Sequence, residues 1–80
     1  MSTPTLVDHN DILRGDIVSW DIWPGHTVTD IITRVERGAS GVPYRAYRQN
    51  TWCIEASAHM SWSEVVALIG FTFTRPATLN

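Results

Sequence analysis

Lysine is absent from this chain and cysteine occurs once, as Cys53. A lone thiol excludes an internal disulfide and fits a reducing compartment. Without lysine, the basic side chains are all arginine, six in number, a set suited to flat, bidentate or stacked contacts and equally a product of a GC-rich genome. Long apolar runs are missing too. No stretch reaches the roughly eighteen residues that a membrane-crossing helix needs, and Met1-Ser2-Thr3-Pro4 lacks the basic and apolar regions of a secretory leader. The chain therefore reads as neither membrane-spanning nor exported. Positive charge is not in excess: the net charge is −2, which removes any global attraction to nucleic acid or anionic lipid.

What is present is apolar and aromatic. Eighty residues make one domain, residues 1–80, with 44% hydrophobic residues, only 18% charged ones and four tryptophans. So small a core stabilises a fold narrowly, and the composition leaves apolar surface for a partner or a second copy to cover. The charges fall in blocks. Asp8, Asp11, Asp16, Asp21 and Asp30 accompany only Arg14 in residues 1–33, whereas Arg34, Arg37, Arg45 and Arg48 accompany only Glu36 in residues 34–48. Either the folded molecule has an acidic and a basic side, or the blocks intermix on its surface.

The stretch from His59 to Pro76 specifies its own structure. Ser61 and Glu64 stand at the spacing of a capping box, Met60 and Val65 at that of a hydrophobic staple, and Gly70 supplies a left-handed stop. A helix over 62–69 follows, with Val65, Val66, Leu68 and Ile69 as its apolar stripe and Trp62 packing at the end of the core. The alternation Phe71-Thr72-Phe73-Thr74 then predicts a strand.

Earlier in the chain, Asp16 to Trp23 alternates, with Val18, Trp20 and Ile22 on one face; Pro24-Gly25 predicts a type II turn, and Val28 to Val35 returns antiparallel. Gly38-Ala39-Ser40-Gly41 is a loop, Val42 to Arg48 a further strand with Pro43 at its start, and Gln49-Asn50 a turn into Trp52–Ala56. Asp11 to Gly15 reads as one helical turn, and residues 1–10 as a mobile or edge segment. The fold class is α+β: an antiparallel β-meander of four to five strands packed against one C-terminal α-helix.

Chemistry-bearing constellations are sparse. His9, His26, His59 and Cys53 lack the close pairing that zinc ligands show, so neither metal nor cofactor is expected. A nucleophilic Cys53 with His59 or His26 as base, oriented by Asp21 or Asp30, competes with Cys53 as a half-buried hydrophobe in a strand, and a non-enzymatic protein is expected. Arg14-Gly15-Asp16 matches an adhesion tripeptide but is accounted for by a glycine stop before a strand. The informative set is Tyr44-Arg45-Ala46-Tyr47-Arg48 with Trp52, Trp20 and Trp23. Aromatic residues interleaved with arginine serve protein interfaces or single-stranded nucleic acid, or else Tyr44 and Trp52 are core and Arg45, Tyr47 and Arg48 cover a solvated face. Net negative charge favours a protein partner over nucleic acid.

The order of strand, turn and strand with Trp52, then Ser61-Trp62-Ser63-Glu64-Val65-Val66, then Gly70 and a closing strand to Pro76, resembles small accessory proteins of actinobacterial phages over residues 31–76. This chain departs from that pattern in Ala58-His59-Met60 before the cap and in a longer, tryptophan-bearing first hairpin. The resemblance implies a compact accessory protein of viral or mobile-element origin, in the host cytoplasm or the virion, and carries over no catalytic residue. The leading expectation is a protein that binds a host or viral protein through Trp23, Arg45, Tyr47 and Arg48. The alternatives are a structural subunit of a virion or other homo-oligomeric assembly, and a single-stranded nucleic-acid binder.

Overall fold

The structure, a computed structural model, describes residues 4–50 and 52–76. Its elements are β1 (Thr5–Val7), β2 (Ile17–Trp23), β3 (His26–Arg37), β4 (Pro43–Arg48), β5 (Ile54–Glu55), α1 (Trp62–Ile69) and β6 (Thr72–Arg75). The strands form one six-stranded antiparallel arrangement in the order β1-β6-β2-β3-β4-β5. The fold is thus α+β with a single C-terminal helix. It has six strands rather than four or five, because residues Thr5–Val7 pair with β6 at an edge.

β2 to β5 are sequential neighbours, and β3 is long enough to serve two partners. Its residues 26–31 pair with β2 and its residues 32–37 with β4, with the register shifting between Ile32 and Arg34. That shift re-aims the second half of the strand, as an extra residue in one strand of a ladder does. The β2–β3 turn has Gly25 at φ 80°, the left-handed second corner of a type II turn for which glycine is suited.

The helix begins and ends where its sequence signals lie. Ser61 Oγ accepts from the Glu64 amide at 3.2 Å, the Glu64 carboxylate accepts from the Ser61 amide at 3.1 Å, and Gly70 stops the helix at φ 81°. Glu64 is held below its ordinary pKa by these Ser61 bonds. The stripe differs from expectation: α1 buries Trp62, Val65 and Val66, whereas Leu68 is 71% and Ile69 46% exposed. Residues 62, 65 and 66 share a face at three- and four-residue steps; Ile69 continues that face at the open end of the helix, and Leu68 lies at its margin.

The core joins Ile12, Val18, Ile32, Ala46, Ile54, Trp62, Val65, Val66 and Phe73. Trp62 is the large end piece. Its ring stacks near Phe73 with centroids 6.5 Å apart, and its Nε1 donates to the His9 carbonyl at 2.7 Å, which satisfies the indole in a buried place.

Asp11 to Gly15 forms no helical turn. The Gly15 amide instead donates to the Ile32 carbonyl at 2.8 Å and the Ile32 amide to the Asp16 carbonyl at 2.8 Å, so the sheet claims this segment. Five residues cannot offset the cost of nucleating a helix when strand partners compete for their amides.

Candidate interaction groove

The face of β4 that carries Ala46 into the core also carries Arg48, because strand side chains two apart share a face. At the end of the strand the Arg48 guanidinium lies over the Trp20 ring, 4.6 Å from its centroid, and its Nε donates to the Trp52 carbonyl at 3.0 Å. Burial pushes Arg48 below its ordinary pKa, against the pull of Asp30 and Cys53; it remains a cation at any physiological pH. The turn after Arg48 is tied down by Asp30, whose buried carboxylate accepts from the Asn50 amide at 3.2 Å and from Asn50 Nδ2 at 3.1 Å.

Trp20, on β2, packs edge-to-face against Phe71 with centroids 5.5 Å apart. Between this pair, Arg48, the helix residues Val65 and Ile69, and the segment Trp52–Glu55 lies a groove of about 380 Å³. Trp52 stands on its lining and is 85% exposed, the most exposed large apolar side chain among the described residues. A second hollow of about 400 Å³ shares Trp20 and Ile69 with the first and adds Ser19, Asp21, Thr27 and Thr72 to its walls. The two meet at those shared side chains and make one trough that gains hydroxyl groups in its second part.

The four residues expected to meet a partner do not form one surface: only Arg45 and Tyr47 are in contact. Arg48 belongs to the groove. Arg45 and Tyr47 lie on the opposite face of β4, where Arg45 donates to Glu36 at 3.1 Å, to Glu55 at 2.6 Å and to the Tyr47 hydroxyl at 3.3 Å. The Glu55 bond first, and the Tyr47 bond second, raise the Arg45 pKa. Arg34 adds a 2.9 Å pair with Glu36 and lies 5.5 Å from the Tyr47 ring centroid, so two arginines and two glutamates neutralise one another around the tyrosine. Trp23 sits at the tip of the β2–β3 hairpin and stacks on His26 at 4.5 Å.

Tyr44 and Trp52 are not core: 42% of Tyr44 and most of Trp52 are exposed. Cys53 is half-buried beside the groove, and its weak contact is to Glu55 Oε1 at 3.9 Å, not to a histidine. His26 faces Trp23, while His59 donates its amide to Ser57 within a turn. Among the described residues no group of three or more His, Cys, Asp or Glu side chains converges to hold a metal, and no helix is long and apolar enough to cross a membrane.

Of the two charge blocks, Asp16 pairs with Arg75, which belongs to neither, and Arg34 and Arg45 are balanced by Glu36 and Glu55. Sequence reasoning set Trp20 and Trp52 in the informative aromatic set but did not count them among the contacts, and it missed Ile69 and Phe71 as groove walls. The signal that could have found them is the apolar surplus on β2 and α1 that one small core cannot absorb. Comparison of the chain with protein-family models, curated proteins and solved structures finds no match.

Proposed function

We propose that this chain is a small non-enzymatic interaction protein of phage origin that binds a host or viral protein. Its docking surface is the groove between Trp52 and Ile69 rather than the Arg45 and Tyr47 face. The observation that carries this reading is Trp52, a tryptophan 85% exposed on the rim of an apolar groove floored by a second tryptophan and a partly buried arginine. Tryptophan and arginine around a desolvatable hollow are the composition of an interface hot spot, where a few side chains carry most of the binding free energy. The opposite face of β4 has its charges already paired within the chain, and a partner there would have to break those pairs. The half-buried thiol of Cys53 suits the host cytoplasm as the place of action.

The test is capture of partner from an actinobacterial lysate by immobilised protein. Trp52→Ala combined with Ile69→Glu should lower recovery at least about tenfold, the scale of one hot-spot residue. Tyr47→Phe should leave recovery unchanged. Both variants should melt within a few degrees of the parent, since both groove positions are exposed. Equal capture by the groove variant removes the proposal.

A second reading, a self-associating structural subunit, is favoured by β1. It is an outer strand with Leu6 74% exposed, and unpaired strand edges invite pairing with another copy. A solution mass that stays at one chain at micromolar concentration excludes it.

A further inference from the structure

We infer that the groove receives a peptide segment that carries one carboxylate beside a large apolar side chain, with the carboxylate bound by Arg48 and the apolar group seated between Trp52 and Ile69. The inference rests on the groove being a protein-binding surface and adds the chemistry of what it takes.

Among the described residues, Arg48 is the one cation on the groove's lining. Its orientation is set from two sides, by the Trp20 ring under the guanidinium plane and by the Trp52 carbonyl on Nε. Its two Nη groups accept no such constraint: among the described residues neither donates a hydrogen bond or joins an ion pair. Four other arginines differ. Arg34, Arg45 and Arg75 pair with carboxylates, and Arg37 bonds main-chain carbonyls. Of the carboxylates around the groove, Glu55 is held by Arg45 at 2.6 Å, and Asp30, whose charge reaches Arg48, makes its hydrogen bonds to Asn50 and not to the guanidinium. Arg48 therefore retains its capacity for an anion, and a pre-oriented guanidinium in a partly dry site binds carboxylate more strongly than one free in water.

The same inventory decides against a polyanion. A nucleic-acid strand brings one negative charge per nucleotide and needs a row of cations, whereas this trough offers one arginine with Glu55 at one end and Asp21 at the other. A single carboxylate flanked by apolar groups matches one cation set among Trp20, Trp52, Ile69 and Phe71.

The experiment pans a random heptapeptide library in parallel with the parent chain, Arg48→Gln, Trp52→Ala and Arg34→Gln, each checked by thermal melt. The parent should enrich peptides with Asp or Glu adjacent to Leu, Ile, Phe or Trp. Arg34→Gln should enrich the same set, and Arg48→Gln and Trp52→Ala should lose it. A recovered peptide, labelled and titrated by anisotropy against the parent protein, should weaken about tenfold or more when its acidic residue becomes the amide, as expected for a charge-assisted bond. This last measurement needs no protein variant and stands even if Arg48→Gln fails to fold.

Enrichment of apolar peptides without acidic bias overturns the role of Arg48 while leaving the groove as a docking surface. Recovery of no peptide, self-association through the groove, or tighter binding of labelled oligothymidylate than of any peptide overturns the inference outright. The oligothymidylate result also removes the protein-binding reading.

Discussion

Among the described residues, Arg37 donates its guanidinium only to main-chain carbonyls, those of Asn10, Ile12 and Gly41. It ties the segment before β2 to the β3–β4 loop, a task that needs several donors diverging from one plane. Lysine, with a single ammonium, cannot reach all three carbonyls. Arg37→Ala should cost about 1–3 kcal/mol through the carbonyls it leaves unbonded, and Arg37→Lys should recover little of this; the urea midpoint reads both.

Asp16 is the other single-residue device. Burial alone would raise its pKa, but the Arg75 hydrogen bonds, the Leu13 amide at 2.8 Å and the Arg75 charge outweigh it, and the carboxyl titrates below its ordinary value. A lowered pKa in the folded state favours the fold wherever the carboxyl is ionised. The stabilisation is complete above the unfolded value of about 3.9 and is lost as pH falls through the lower folded value. Asp16→Asn should flatten that acid limb of the stability curve and lower stability at pH 7. An acid limb as steep in the variant as in the parent counts against the role given to Asp16.

At the scale of elements, α1 is the part most independent of its surroundings. Its cap, its stop and its length of eight residues follow from Ser61, Glu64 and Gly70, and Ser61→Ala should cost about 1 kcal/mol in thermal or urea unfolding. Gly70 is informative because an added Cβ meets no atom within 4 Å, so any cost of substitution is backbone strain alone. Gly70→Ala should destabilise by about 1 kcal/mol and Gly70→Asn by less, since asparagine tolerates the left-handed region. Equal losses for the two would point to packing instead.

The strands were legible in proportion to their alternation. β2 reads plainly because Val18 and Trp20 face inward, and the hairpin at Pro24-Gly25 falls where the two turn residues put it. β5 shrank from an expected five residues to Ile54–Glu55, since only Arg45 and Ala46 of β4 lie opposite it. For β1 the sequence is compatible with both a tail and an edge segment. Three residues carry too little pattern, and its pairing with β6 depends on a strand nearly seventy residues away.

For the whole molecule, stability rests on few side chains. Val18 and Ile32 are fully buried, and Ile32→Ala should cost about 2–5 kcal/mol, a large part of what so small a domain has. Leu68→Ala, at an exposed position of the same chemical type, should change the melting temperature little; a loss comparable to Ile32→Ala would mean that a second copy covers the helix in solution. The same contrast separates groove from core. Trp62 and Trp52 are the same residue type, yet one is 2% exposed with its indole nitrogen bonded inside the fold and the other stands on the groove rim.

By itself the sequence determined the local order: where the helix starts and stops, where the first hairpin turns, and that the chain alternates as strands before its one helix. These depend on capping, left-handed glycine and side-chain alternation, which act over a few residues. Only the tertiary structure decided which apolar side chains are left over. Trp52 faces out, Arg48 rests on Trp20 and Arg45 is absorbed by Glu36 and Glu55, because burial and charge pairing are settled between residues far apart in the chain.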